Sequence, residues 1–379
     1  MGSNGVVIHL IAAARPNFMK IAPLYHELKR QSWAQPVLVH TGQHYDLNMS
    51  DVFFRDLGLP EPDLNLGVGS GTHAQQTGRV MIAYEKILLE NRPDLIVVVG
   101  DVNSTMAATL AGVKLGVRVA HLEAGLRSFD RAMPEEINRL VTDSLADFLW
   151  TPSPDADENL MKEGIPSEKI QRVGNIMIDS LEMLRPQIEK EAVFGELGLE
   201  SGDFALVTLH RPSNVDCPDK LKILSHLIQR LADKIPLVFP LHPRTRKNLD
   251  TIGRLQEVSN TSGLTLLEPL SYIRFMNLVM NSRMAITDSG GIQEETSYLG
   301  VPCLTLRPNT ERPITVTEGT NTLCTVSDLE AHVDCVLSGL QNRRNAIDLW
   351  DGQTAPRVVQ AIASLADVEW DDDRPVENK

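Results

Sequence analysis

One rhythm, repeated twice along the chain, limits its architecture more than any other feature. A short run of β-branched and aliphatic residues leads through a turn into a helical stretch and then into another such run. Val6–Ala12 is the first, continuing through Ala14-Arg15-Pro16 into an amphipathic helix that reaches Leu28. Pro36–His40, Leu95–Gly100, Arg118–His121, Phe148–Thr151 and Ile170–Val173 follow, with helical patterns over Gln75–Asn91 and Ser104–Leu115 between them. Runs that stay apolar at successive positions belong to strands buried on both faces. Separated by helices, they predict a parallel sheet covered on both sides. The series then restarts with Ala205–Leu209, Leu237–Pro240, Leu264–Leu267, Met284–Thr287 and Pro302–Leu306, and with helices over Lys220–Asp233 and Ile292–Leu299. The predicted fold class is α/β, with two Rossmann-like, doubly wound parallel-sheet domains.

A length of 379 residues suits two or three domains of roughly 150 residues each. A helical segment near Asp179–Leu197 separates the two series, and the boundary is set at 174, giving domains 1–174 and 175–354 and an acidic, solvated tail at 369–379. The 36 basic and 50 acidic residues leave a net charge of −14, which opposes nucleic-acid binding through a positive stripe. No apolar run reaches the ~20 residues of a bilayer crossing. Met1-Gly2-Ser3-Asn4 carries no basic region of a signal peptide. Cys217, Cys303, Cys324 and Cys335 lack CxxC spacing and are expected to be reduced. The expectation is a soluble, cytoplasmic protein without membrane insertion.

Open α/β sheets bind ligands at the carboxyl ends of their strands, so two such domains facing one another would line a cleft with those ends. Residues that directly follow strands are therefore the first candidates for chemistry. Thr287-Asp288-Ser289-Gly290-Gly291-Ile292-Gln293-Glu294-Glu295 follows one strand and opens a helix. Its two glycines admit a ligand close to the backbone, Ser289 can cap the helix, and the first-turn N–H groups favour a phosphate. Glu295, one turn in, could accept both hydroxyls of a ribose. Gly67-Val68-Gly69-Ser70-Gly71-Thr72 lacks the GxGxxG spacing and a useful preceding strand, so it reads as a connection into a Thr72-capped helix.

Arg15 and Lys20 bracket the first strand–helix turn, where they could grip an anion. Asp101 and Glu123 lie at or just beyond strand ends and Glu135 at the end of the loop that follows; the three could converge on one cleft edge, where neighbouring carboxylates divide into an acid and a base. His210 follows the strand Ala205–Leu209 and suits proton transfer or a phosphate contact, while His242 and His44 are further candidates. Glu311-Arg312-Pro313 could close on a sugar or phosphate. No His, His121 apart, joins the carboxylates at metal-ligand spacing, and no metal is expected.

These stretches, in this order, resemble the non-hydrolysing UDP-N-acetylglucosamine 2-epimerases. The resemblance rests on Ala14–Pro23, Thr41-Gly42-Gln43-His44, Gly100–Thr105, His121-Leu122-Glu123-Ala124-Gly125-Leu126-Arg127, Pro134–Arg139, Asp288–Glu295 and Thr310–Pro313. It implies the GT-B architecture, a homodimer, and a final helix, about 355–368, that rejoins the first domain. It also implies a UDP-sugar substrate and no cofactor. Arg15 would hold the diphosphate with Ser289, Gly290 and Gly291; Glu295 would bind the ribose, and the main chain near Phe275 the uracil. Asp101, Glu123, Glu135 and His210 would be catalytic, supported by Lys20, Arg139 and Arg312.

The chemistry suits such a set. The C2 proton of a hexosamine has no adjacent carbonyl to acidify it. Eliminating UDP across C1–C2 gives a 2-acetamidoglucal, and re-addition with protonation from the other face inverts C2; this needs a base, an acid and a neutralised diphosphate. The segment Tyr45-Asp46-Leu47-Asn48-Met49-Ser50 departs from many relatives, in which this region, with positions matching Gln43, His44, Arg211 and His242, forms a regulatory site. It resembles instead relatives acting on UDP-diacetamido-uronic acids. A hydrolysing epimerase, a GT-B glycosyltransferase and an inactive nucleotide-sugar sensor are the competing readings.

Overall fold

The computed structural model describes residues 5–42, 54–340 and 346–366. Gln43, His44, the segment 45–50 and the acidic tail lie outside the described residues. The chain forms two compact units. One runs to Met183 and takes up the chain again from Asp348; the other is Leu184–Ile347.

The first unit is built on a parallel sheet of β1 (Val6–Ala12), β2 (Ala34–His40), β3 (Leu64–Asn65), β4 (Leu95–Val99), β5 (Arg118–Leu122), β6 (Phe148–Thr151) and β7 (Ile170–Arg172), in the order β3-β2-β1-β4-β5-β6-β7. All five residues of β4 are buried, as the uninterrupted apolar run requires of a central strand. The order reverses between β1 and β4, whose pairing begins at Ile8↔Leu95. In an open α/β sheet such a reversal opens the crevice in which ligands bind.

The second unit repeats the plan with β8 (Ala205–Thr208), β9 (Leu237–Pro240), β10 (Leu264–Leu267), β11 (Met284–Thr287), β12 (Cys303–Thr305) and β13 (Asn321–Leu323), ordered β10-β9-β8-β11-β12-β13. Its reversal falls between β8 and β11, paired from Met284↔Ala205 to Thr287↔Thr208. Leu206, Val207, Phe239, Ala285 and Ile286 lie inside it, almost fully covered.

Two details depart from the sequence reading. The single helix expected over 179–197 is two, Ile176–Ile188 and Val193–Glu196. Asn277 holds the break: its amide donates to the carbonyls of Ile188 (3.0 Å) and Glu191 (2.9 Å), and its Oδ1 accepts from Val193 N (3.1 Å). Those bonds satisfy backbone groups that the interruption frees. Second, Ser289 does not cap the helix Gly291–Leu299. Gly290 is its N-cap, without a side-chain bond. The glycine run 67–71 does feed a Thr72-capped helix, His73–Glu90, with Gln75 N donating to Thr72 Oγ1 at 3.3 Å and the Gln75 side chain accepting from Thr72 N at 3.2 Å.

The final helix, Thr354–Ala366, belongs to the first unit, where Asp179 caps it by accepting from Thr354 N (3.1 Å) and Ala355 N (2.7 Å). None of the four cysteines forms a disulfide, and no described helix is long and apolar enough to cross a membrane.

One buried group makes this core pH-sensitive. His9, in β1, is 2% exposed, and its Nδ1 lies 3.0 Å from the Tyr84 hydroxyl. Burial, opposed by the charge of Asp63, lowers it from 6.5 to about 4. The unfolded chain therefore takes up this proton at a higher pH than the folded one. The stabilisation is complete above pH 6.5 and is lost as pH falls toward 4, by about 3 kcal/mol from this residue. Denaturant unfolding at pH 7.5 and pH 4 should show that drop, and His9→Gln should flatten it; an equally steep fall in the variant would assign the effect elsewhere.

Candidate active site

At the reversal in the first sheet, the chain leaving β1 turns into the helix Arg15–Lys29, which Arg15 opens. Asn17 in its first turn donates to Val99 O (2.9 Å), fixing the helix start to the end of β4. Lys20, one turn on, forms an ion pair with Glu123 Oε2 beyond β5. Glu123 is 4% exposed and its backbone is left-handed, at φ 73°. Its N–H and that of Ala124 both donate to Trp150 O at 3.1 Å. Its second oxygen, Oε1, has no hydrogen-bond partner among the described residues. A buried carboxylate on a strained backbone, with one oxygen engaged and the other unpartnered among the described residues, marks Glu123 as a candidate functional group.

Gly100 brings these groups together. It adopts φ 70°, and a Cβ added there would lie 3.2 Å from Lys20 Nζ, 3.5 Å from Glu123 Oε2 and 3.6 Å from Asn17 Nδ2. The glycine thus lets Lys20 and Glu123 close over the peptide that leads to Asp101. Asp101 is joined in turn to the helix Pro134–Leu145: Asn138 Nδ2 donates to its carbonyl (2.8 Å), and the Arg139 guanidinium lies 3.5 Å from its carboxylate. Arg139 is also 3.3 Å from Glu136.

The two adjacent glutamates of that helix separate sharply. Glu136 is buried and accepts from Ser128 N (3.0 Å), Ser128 Oγ (3.0 Å) and Phe129 N (2.9 Å), anchoring the loop before the helix. Glu135 is exposed, and its main-chain carbonyl accepts from Arg139 Nε at 3.5 Å. Lys20, Asp101, Glu123 and Arg139 thus form one constellation, with Glu135 on its bordering helix.

The reversal in the second sheet holds the other group. Asp288 follows β11 and is fully buried. It accepts from the backbone N–H groups of His210 (3.0 Å) and Arg211 (3.0 Å) and from Asn214 Nδ2 (3.0 Å), and His210 Nδ1 lies 2.9 Å from it. Burial pushes this carboxyl up, but the bonds from His210 and Asn214 prevail and hold it below the usual range. The bond to Nδ1 fixes the His210 ring and leaves Nε2 for chemistry. His242 stands beside it, with ring centroids 5.6 Å apart, and accepts from Arg244 N through Nδ1. Burial, then the charges of His210 and Arg244, lower His242 against the opposing effect of Asp288.

Beyond Asp288, Gly290 allows Arg312 to approach; a Cβ there would lie 3.2 Å from Arg312 Nη1. Arg312 Nε pairs with Glu294 at 2.8 Å. Gly291 starts the nine-residue helix whose first-turn N–H groups suit a phosphate. Glu295, 4% exposed, accepts from the Tyr272 hydroxyl at 2.7 Å. Burial and the charge of Glu294 raise its carboxyl to about 7, against the bond from Tyr272. Phe275 is half-buried on the helix Tyr272–Asn281 with Tyr272. Arg211 lies 3.7 Å from Glu311, which Arg307 grips through two 2.9 Å bonds.

Sequence reasoning passed over Asp288 as a side chain, Tyr272, and the buried His121–Asp143 pair. Asp288 stood in the quoted motif, immediately after a strand run. Elsewhere, Cys324, Asp328 and His332 bring a sulfur, an oxygen and a nitrogen within 4.8 Å of one another. Burial pushes the Cys324 thiol up to about 12 and it donates to Thr322 O, while Asp328 takes Thr325 N–H at 2.7 Å, so two of the three are closed by hydrogen bonds of their own.

Two parallel-sheet α/β units, one of seven strands and one of six, each with a reversal in strand order, define the GT-B class of α/β enzymes. The chain belongs to the UDP-N-acetylglucosamine 2-epimerase family, whose model matches residues 26–363, and is an isomerase of that family. It is 42% identical over 343 residues to the UDP-N-acetylglucosamine 2-epimerase of Methanococcus maripaludis, covering 89% of this chain and 93% of the relative. It is 41% identical to a UDP-2,3-diacetamido-2,3-dideoxy-D-glucuronate 2-epimerase of Pseudomonas aeruginosa, covering 83% and 86%. The Methanocaldococcus jannaschii UDP-GlcNAc 2-epimerase, solved with UDP-GlcNAc and UDP, superposes with a TM-score of 0.85 at 39% identity, covering 95% of this chain and all of that one.

Proposed function

We propose that the protein interconverts UDP-N-acetylglucosamine and UDP-N-acetylmannosamine without hydrolysing them. In the forward direction a carboxylate takes the C2 proton, the C2–H electron pair forms the C1=C2 bond, and the C1–O bond breaks with its electrons leaving on UDP. The 2-acetamidoglucal then receives UDP oxygen at C1 and a proton at C2 from the opposite face. Nothing is oxidised or reduced overall, so the scheme calls for no redox cofactor. Asp101, Glu123 and Glu135 exchange the protons, with Lys20 and Arg139 balancing their charge. His210, oriented by Asp288, assists the departing diphosphate, which Arg15, Ser289, Gly290, Gly291 and Arg312 bind. Glu295 takes the ribose diol and the main chain near Phe275 the uracil. Homodimeric assembly accompanies this reading and is checked by light scattering.

The observation that carries the proposal is Glu123, buried and left-handed, with one oxygen on Lys20 and the other without a partner among the described residues. Proton NMR of UDP-N-acetylglucosamine with the protein in deuterium oxide should show the manno epimer appearing with solvent deuterium at C2 in both epimers. Free N-acetylmannosamine would indicate a hydrolysing enzyme, and no exchange at C2 would overturn the proposal. The similarity to the Pseudomonas enzyme supports a second reading, C2 epimerisation of a UDP-diacetamido-uronic acid. The same measurement with that sugar decides between them by the ratio of exchange rates.

Nucleotide binding should depend on Glu295. Its raised carboxyl is ionised above about pH 7 and protonated below, so UDP affinity should weaken as pH falls from 8 to 6. Glu295→Gln should lower UDP affinity about tenfold, the loss of one charge-assisted hydrogen bond, and remove that pH dependence in calorimetry.

A further inference from the structure

Beneath the carboxylates at the ends of β4 and β5 lies a line of polar side chains that the mechanism above does not use. His121, in β5, is fully enclosed. Its Nε2 lies 2.9 Å from Gly100 O, and its Nδ1 lies 2.5 Å from Asp143 Oδ1. A carbonyl only accepts, so Nε2 carries a hydrogen. Asp143 Oδ2 accepts from Gly125 N (3.1 Å) and lies 2.7 Å from Arg127 Nη1. Burial works to raise the Asp143 carboxyl, yet His121 and Arg127 together hold it below its ordinary range. Asp143 thus holds the Nδ1 side of the ring, while Gly100 O takes the hydrogen on Nε2. Arg127 completes the line with two bonds to Glu163, at 2.8 and 2.7 Å.

The line Glu163–Arg127–Asp143–His121 thus ends on the carbonyl of Gly100, one residue before Asp101. It also ends on both flanks of Glu123: His121 lies two residues before it and Gly125, bound by Asp143, two residues after. Apolar side chains of matching shape would serve stability as well as the buried His121, Asp143 and Arg127 do. What they could not supply is a directed donor to Gly100 O and a directed acceptor for Gly125 N. Both flanks need such a hold, because a glutamate at φ 73° relaxes toward ordinary backbone unless its surroundings prevent it.

We propose that His121, held by Asp143, is a positioning residue that fixes the Gly100–Asp101 peptide and the left-handed turn of Glu123 for proton transfer at C2. The inference rests on the epimerase reading for its kinetic test and on the wild-type protein alone for its spectroscopic one. Nitrogen NMR of histidine-labelled wild type at pH 7.5 should show an enclosed ring that carries its hydrogen on Nε2 and bonds through it to a carbonyl; a His121 ring with Nε2 bare would overturn the proposal. His121→Gln keeps a donor for Gly100 but not the bond to Asp143, and should lower kcat roughly 100-fold, the lower end of the range for a lost acid–base contribution. KM and UDP affinity should stay within threefold, and deuterium wash-in at C2 should fall in step with kcat. Glu163→Gln, at the half-exposed end of the line, covers the case in which the first variant does not fold, and should lower kcat several-fold with KM unchanged. Parental kcat in both variants, or equal losses in kcat, KM and UDP affinity, would overturn the positioning role. If wild type itself fails to exchange C2 hydrogen, the epimerase reading falls, while the nitrogen spectrum still decides the state of His121.

Discussion

Glu123→Gln should bind UDP like the parent chain and turn over at least about 10³-fold more slowly, within the range expected when a positioned acid–base group is lost. Glutamine matches glutamate in shape and in tolerance of the φ 73° backbone, so the variant isolates the proton-accepting charge. The same change should cost stability, because the Lys20 ammonium, only 12% exposed, loses its carboxylate partner. Leaving one member of such a buried pair uncompensated costs roughly 3–5 kcal/mol. Adding Lys20→Met to the variant removes the stranded cation and should recover most of that stability without recovering any turnover. This separates the two roles of the pair: thermal unfolding reports the ion pair, and C2 exchange reports the base. A Glu123→Gln protein retaining a tenth of parental kcat would remove Glu123 from the proton transfers.

How much of this could be read in the sequence follows from how local each signal is. β1, β6, β9, β10 and β11 run over the residues their apolar runs announce, since a strand buried on both faces leaves a mark on every position. The chemistry-bearing residues were legible for a related reason: parallel topology puts whatever follows a strand at one sheet edge, so Asp101, Glu123, His210 and Asp288 mark themselves by position. Side-chain partnership was not legible. Lys20 meets Glu123 across 103 residues, and Asn277 breaks a helix 84 residues before it in the chain. No window of sequence contains either contact.

The Glu135–Glu136 pair shows the same limit at close range. With Pro134 opening the helix, Glu136 falls at its third position and reaches back to the N–H groups of Ser128 and Phe129, as a residue there does in a capping arrangement. Glu135, one position earlier, turns to solvent. Two identical neighbours thus take opposite burial from helical phase alone. Ser289 fails as a cap for a comparable reason: the helix begins one residue later than the motif suggests, leaving Gly290 at the cap.

Asp288→Asn should reduce kcat by roughly 10³ and destabilise the Leu184–Ile347 unit by about 2–4 kcal/mol, the cost of two stranded donors. Four N–H groups converge on this carboxylate: the backbones of His210 and Arg211, the Asn214 amide and the His210 ring. An asparagine offers one accepting oxygen and turns its own amino group against the remaining donors. His210 then loses the partner that fixes its tautomer and ring orientation, although its own atoms are untouched. The lowered carboxyl of Asp288 contributes its stabilisation above the ordinary carboxylate range and loses it only in strong acid, so the deficit of the variant should be the same at pH 6 and pH 8. His210→Gln should lose as much turnover with far less stability, since Asp288 keeps its three other donors. Combining the two should lower kcat no further than either alone, because residues that act as one unit are not additive. A double variant slower than both by the product of their losses would show that Asp288 serves catalysis by a route other than His210.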